Sequence, residues 1–121
     1  MAYRAAICDD CAADAQFVSE ILKAWADERG AEVNAEIYPS AESFLFAYDE
    51  NKAYDMLLLD IEMGGMDGVS MARRVRAGNK TVQIIFITGY SDYIAEGYDV
   101  AALHYLMKPV NREKLFGVLD R

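Results

Sequence analysis

The chain alternates short apolar runs with longer segments in which apolar residues recur at helical spacing. Ala5-Ala6-Ile7 reads as a short buried strand. Residues 12–29 carry Phe17, Val18, Ile21, Leu22 and Trp25 three and four apart, an amphipathic helix, and Gly30 follows as a helix stop. Val33, Ala35 and Ile37 alternate with Asn34 and Glu36, a period of two that predicts a half-exposed strand at a sheet edge. Ser40 is placed to cap a helix with Ala41, Phe44, Leu45 and Tyr48 on one face. Met56-Leu57-Leu58-Leu59 and Ile84-Ile85-Phe86-Ile87 are apolar without alternation, as expected of parallel strands covered on both faces. Between them Gly64, Gly65 and Gly68 mark a loop, and a helix with Val69, Met71, Ala72 and Val75 ends by Gly78. A fourth helix is predicted from about Ser91, with Tyr93, Ile94, Tyr98 and Ala101; Gly97 inside it costs about 1 kcal/mol relative to Ala. Leu103-His104-Tyr105-Leu106 is a fifth short strand, and Asn111 can cap a last helix with Leu115, Val118 and Leu119.

Five strands alternating with five helices predict a three-layer α/β domain around a parallel sheet. Its functional site is expected at the carboxyl ends of the strands, near a topological switch point. The length, 121 residues, suits one such domain. The net charge of −8 argues against direct binding to nucleic acid or to an anionic membrane surface, and otherwise serves solubility. No stretch approaches the roughly 20 apolar residues of a membrane span, and Met1-Ala2-Tyr3-Arg4 opens no secretory leader. Two cysteines are too few for a disulfide framework. Together these features place the protein in the cytoplasm, with no membrane partner.

The polar residues that follow the apolar strands change the picture most. Asp9 and Asp10 follow the first, Asp60 the third, Thr88 the fourth, and Lys108 and Pro109 the fifth. A right-handed parallel sheet gathers all of these at one rim. Three carboxylates so close repel one another unless a cation intervenes, and a hard divalent ion with oxygen ligands, Mg²⁺, is the natural one. Asp60 could then act as a carboxylate nucleophile and form an aspartyl phosphate. Lys108 and Thr88 would neutralise and hydrogen-bond the phosphoryl oxygens, and Gly89 would leave room for the group to enter. Taken singly, each residue has a plainer use: an Asp caps a helix, a Lys-Pro makes a turn. Their coincidence at one rim favours a shared site.

These stretches resemble the receiver domain of bacterial two-component response regulators. The resemblance is carried by Ile7-Cys8-Asp9-Asp10, Leu57-Leu58-Leu59-Asp60-Ile61-Glu62-Met63, Gly65-Met66-Asp67-Gly68, Ile87-Thr88-Gly89 and Tyr105-Leu106-Met107-Lys108-Pro109. From Tyr90 to Lys108 the chain is similar to receivers that precede a LytTR-type DNA-binding domain. The resemblance implies a flavodoxin-like sheet of strand order 2-1-3-4-5. It implies that Asp60 accepts a phosphoryl group from a phosphohistidine on a sensor histidine kinase, and that such a protein is a switch rather than an enzyme that turns over substrate. Asp10 and Asp60 would ligate Mg²⁺ directly, Asp9 through water, and the backbone carbonyl of Glu62 would complete the metal site. Thr88 and Tyr105 would move as a coupled switch, Lys108 would contact a phosphoryl oxygen beside a cis bond to Pro109, and Glu62 and Tyr90 would tune the lifetime of the acyl phosphate. The change would reach the face of the fourth helix, fifth strand and last helix, with Tyr93, Tyr98, His104 and Tyr105 as candidates, and drive homodimerisation.

Gly64 stands where the family often has Pro. The whole of residues 1–121 reads as receiver, with no output domain in the chain, so a longer parent protein is expected that binds DNA through a C-terminal domain; a stand-alone relay or interaction module is the alternative. Two other classes compete. A phosphatase with an aspartyl-phosphate intermediate commonly has a second Asp two residues after the nucleophile, where this chain has Glu62. A redox protein could be built on Cys8-Asp9-Asp10-Cys11, but the flanking carboxylates would raise the thiol pKa values and blunt reactivity.

Overall fold

Met56-Leu57-Leu58-Leu59, buried at every residue, forms the central strand of a five-stranded sheet in the computed structural model, which describes residues 2–89 and 104–120. The elements run β1 (Ala2–Cys8), α1 (Ala12–Glu28), β2 (Glu32–Tyr38), α2 (Ala41–Glu50), β3 (Met56–Leu59), α3 (Gly68–Gly78), β4 (Gln83–Thr88), β5 (His104–Met107) and α4 (Arg112–Leu119). All neighbouring strands are parallel, in the order β2-β1-β3-β4-β5. That is the flavodoxin-like order expected, with its switch point between β1 and β3.

Burial on both faces explains the unalternating runs. One side of the sheet packs Leu57, Leu59, Ile84 and Phe86 against α2 and α3, through Phe44, Leu45, Met71 and Val75. The other packs Ile7, Leu58, Ile85 and Ile87 against α1 and α4, through Leu22, Val18, Leu115 and Val118. Capping follows the expected chemistry. The Ser40 hydroxyl accepts from the Ser43 N–H at 3.1 Å and Asn111 Oδ1 from the Lys114 N–H at 2.8 Å. Asp67 caps α3 through the Ser70 N–H at 2.7 Å. Among the described residues no helix is long and apolar enough to cross a membrane.

Four differences from the sequence pattern have physical causes. β1 starts at Ala2, because Ala2-Tyr3-Arg4 pair with Glu32-Val33-Asn34 of the edge strand. β4 extends to Thr88, since the parallel ladder to β5 pairs Thr88 with Met107. β5 runs to Met107, one residue past the expected end. On β2, Glu36 is half-buried rather than solvated, because Arg4, Tyr38 and Tyr54 all donate to its carboxylate. The predicted helix from Ser91, with Tyr93, Gly97 and Tyr98, and also Tyr90 and Leu103, lie outside the described residues.

Candidate functional site

The backbone ladder continues one residue beyond the ends of β1 and β3 and so fixes two carboxylates. The Asp9 N–H donates to the Tyr38 carbonyl at 3.1 Å, and the Asp60 N–H to the Cys8 carbonyl at 2.9 Å. Both side chains are buried, at 6% and 7% exposure, whereas Asp10 is exposed. One oxygen of each buried acid is held by the chain itself. Asp9 Oδ1 accepts from the Cys11 N–H at 2.9 Å and Asp60 Oδ1 from the Ile61 N–H at 2.7 Å. The other oxygen of each meets Lys108 Nζ at 2.9 Å. One carboxylate oxygen from each of Asp9, Asp10 and Asp60 lies within 4.8 Å of the other two. A trio of hard oxygen donors at that spacing could hold a small divalent cation.

Lys108 is brought in from β5, where its N–H donates to the Thr88 carbonyl at 2.8 Å and its bond to Pro109 is cis. Burial alone would push its ammonium toward deprotonation. The carboxylates of Asp14, Asp9 and Asp60 outweigh that and hold the pKa above the ordinary lysine range. For Asp9 the balance goes the other way: burial raises its pKa against the pull of Lys108 and the Cys11 N–H, and the charge on Asp60 adds to the rise. Lys108 is thus a fixed cation among these carboxylates.

Thr88 is fully buried, and its Oγ1 has no hydrogen-bond partner among the described residues. A buried hydroxyl left unpaired costs about 1–3 kcal/mol, so this donor is available to an oxygen that enters the site. Tyr105 lies on the neighbouring strand, paired in register with Phe86, two residues before Thr88. The period of two puts Phe86 and Thr88 on one face, and Tyr105 packs there, half-buried, with its ring 5.9 Å from that of Phe86. His104 is also half-buried.

The loop after Asp60 is held tightly at two glycines. A Cβ on Gly68 would lie 2.1 Å from the Asp60 carbonyl oxygen, so only glycine lets α3 start against that backbone. Gly65 has φ +97°, and the Glu42 carboxylate beside it accepts from the Met66 N–H at 3.0 Å. Gly64 and Gly89, by contrast, face open space, and with Asp10, Asp60, Glu62 and Lys108 they line an open cleft.

Two further polar residues stand at this rim that the strand-end pattern does not single out. Glu42, from α2, braces the loop. Asp14, in the first turn of α1, is a third acceptor for Lys108, at 2.9 Å. That hydrogen bond holds Asp14 below the usual carboxylate range. Its position one helical turn after Asp10 was the available signal. Both cysteines are free, Cys8 is buried, and its burial together with the Asp9 charge drives its thiol pKa far up, which disfavours thiolate chemistry there.

Comparison with known proteins agrees with this geometry. The family model "Response regulator receiver domain" matches residues 6–120. The chain is 34% identical to "Transcriptional regulatory protein RprY" of Bacteroides fragilis over 84% of its length and 43% of the relative's. It is 31% identical to "Sensory transduction protein LytT" of Bacillus subtilis, over 67% of this chain and 34% of that protein, a relative of the expected LytTR kind. The chain therefore spans about two fifths or less of the length of these curated relatives. Among solved structures it superposes on a CheY-like receiver domain protein from Methanospirillum hungatei with TM-score 0.81 and 25% identity, covering 99% of this chain and 92% of that one. With sheet order, acidic trio and family model in agreement over nearly all of its residues, the chain belongs to the response regulator receiver domains.

Proposed function

We propose that the protein is a phosphorylation-activated switch in which Asp60 accepts a phosphoryl group from a phosphohistidine of a sensor histidine kinase. The observation that carries this reading is the environment of Asp60: a buried carboxylate in an acidic trio, with Lys108 Nζ 2.9 Å from Oδ2. An Asp60 oxygen attacks phosphorus while the P–N bond to the kinase imidazole breaks. The electron pair leaves on that nitrogen, which recovers a proton from solvent. Lys108, already at the attacking carboxylate, stays with the developing charge by donating to a phosphoryl oxygen. Asp10 and Asp60, with Asp9 through water and the Glu62 carbonyl, would hold Mg²⁺, which when bound neutralises the clustered carboxylates and the transferring oxygens. The donor set fits that ion, being entirely hard oxygen.

The Thr88 Oγ1, without a hydrogen-bond partner among the described residues, supports its role as the sensor. A phosphoryl oxygen gives it the acceptor it lacks, and the move toward that oxygen opens space on the face where Tyr105 packs. The displaced ring alters the β5–α4 surface, through which a second copy docks. The relatives' greater length supports a further reading, that the output lies in another domain of a longer cytoplasmic regulator and reaches DNA only through it.

Incubation with Mg²⁺ and a small phosphodonor, followed by phosphate-affinity electrophoresis, tests the assignment. Stoichiometric labelling that is lost in Asp60→Asn is expected; labelling that survives in this variant would sink it. Size-exclusion chromatography of the labelled protein should show a dimer.

A further inference from the structure

An ammonium has three N–H donors. In Lys108 all three meet carboxylate oxygens at 2.9 Å: Asp9 Oδ2, Asp60 Oδ2 and Asp14 Oδ2. Two of these acceptors belong to the acidic trio that could hold a cation. Asp14 does not belong to it. Its side chain comes from the first turn of α1 and is 46% exposed, against 6% and 7% for the other two. Lys108 is thus shared between the interior of the site and its solvent side.

A divalent cation that binds Asp9, Asp10 and Asp60 must share those oxygens with the ammonium or repel it from them. What this costs depends on where the ammonium can go. With Asp14 present it keeps a charged partner at the rim. Without Asp14 its carboxylate partners among the described residues are Asp9 and Asp60, and it competes with the cation for both. We propose that Asp14 is a positioning residue: it draws the Lys108 ammonium partly off Asp9 and Asp60 and so raises the affinity of the acidic trio for a divalent cation. This rests on reading the trio as a Mg²⁺ site.

A double-mutant cycle on the 121-residue chain separates this role from that of a mere nearby charge. Mg²⁺ affinity is measured by calorimetry for the parent, Asp14→Asn, Lys108→Met and the double variant, with folding checked by circular dichroism. Lys108→Gln takes the place of Lys108→Met if the latter does not fold. Asp14→Asn should weaken Mg²⁺ binding by about threefold to tenfold in the parent, and by less than about twofold once Lys108 is neutral. An equal loss in both backgrounds would mean that Asp14 acts through space alone and would overturn the proposal, as would no loss in the parent. A parent that binds no Mg²⁺ refutes the metal reading itself, which is distinct from a parent that binds while the cycle shows no coupling.

Discussion

Away from the carboxyl ends of the strands, two acids each have an arginine of their own. Asp120 takes Arg29 in two hydrogen bonds of 2.5 Å and the Trp25 indole N–H at 2.9 Å. Glu36 takes Arg4, Tyr38 and Tyr54. The leftover donor there, Arg4 Nη1, belongs to a guanidinium whose carbon lies 4.0 Å from the centre of the Tyr54 ring. At the carboxyl ends, among the described residues, the carboxylates of Asp9, Asp14 and Asp60 share the single ammonium of Lys108, Asp10 stands beside them without it, and the Thr88 hydroxyl has nothing to bond. Both regions are made of the same kinds of residue. In one, each of these two acids is matched by an arginine, and the contacts serve stability. The other is short of positive charge and of one acceptor, and so can take in a cation and an anionic group together.

That contrast breaks first at Lys108. Its replacement by Met leaves two buried carboxylates without their counter-charge, a loss of about 3 kcal/mol in metal-free buffer. Urea unfolding should show this loss, with millimolar Mg²⁺ restoring most of it. Arg29→Met, which opens an exposed pair in the other region, should shift the urea midpoint far less and equally with or without Mg²⁺. If Mg²⁺ rescues both variants alike, or neither, the two regions do not differ in the way described.

Gly68→Ala tests how rigidly the charged rim is held. The new methyl group would overlap the Asp60 carbonyl, so α3 or the loop must shift, at about 2 kcal/mol. Gly64→Ala, in open space, should be near neutral. Equal stabilities would show that the Asp60 loop is not clamped by α3.

The smallest effect is the most diagnostic, because its sign differs between the regions. Asp9 holds its proton more tightly folded than unfolded, so its contribution is fully present at low pH and is lost as pH rises from about 4 through its raised value. Glu36 is depressed, because the hydrogen bonds from Tyr54 and Arg4 outweigh its burial. Its contribution is present above the ordinary carboxylate pKa and is lost as pH falls below it. In metal-free buffer the parent should therefore lose stability relative to Asp9→Asn as pH rises from 4, and gain relative to Glu36→Gln as pH rises toward about 4.5. Pairs of urea curves across this range read the two slopes, and slopes of the same sign would refute the contrast.

Much of this was legible in the chain. The unalternating runs at Met56–Leu59 and Ile84–Ile87 announced two-faced burial, and the polar residue after each strand announced the rim. Ser40 and Asn111 announced caps that formed. These signals are local: a side chain's face and a cap's partner are decided within a few residues. The misses lie where a polar residue has several possible uses. Glu36 read as solvent-facing because alternation says which side a residue is on, not what waits there. Asp14 finds its partner in Lys108, 94 residues away, which no local pattern points to.

The sequence by itself determined the class of sheet, the rim at which chemistry could occur, and the family to which the chain belongs. Tertiary structure decided how the charges at that rim are shared. Which carboxylates an ammonium reaches depends on how β5 lies against β4, how α1 is set over β1, and how closely α3 meets the Asp60 backbone. Those distances are products of packing across the whole sheet, so the three-way hold on Lys108 and the burial of the Thr88 hydroxyl exist only in the folded chain.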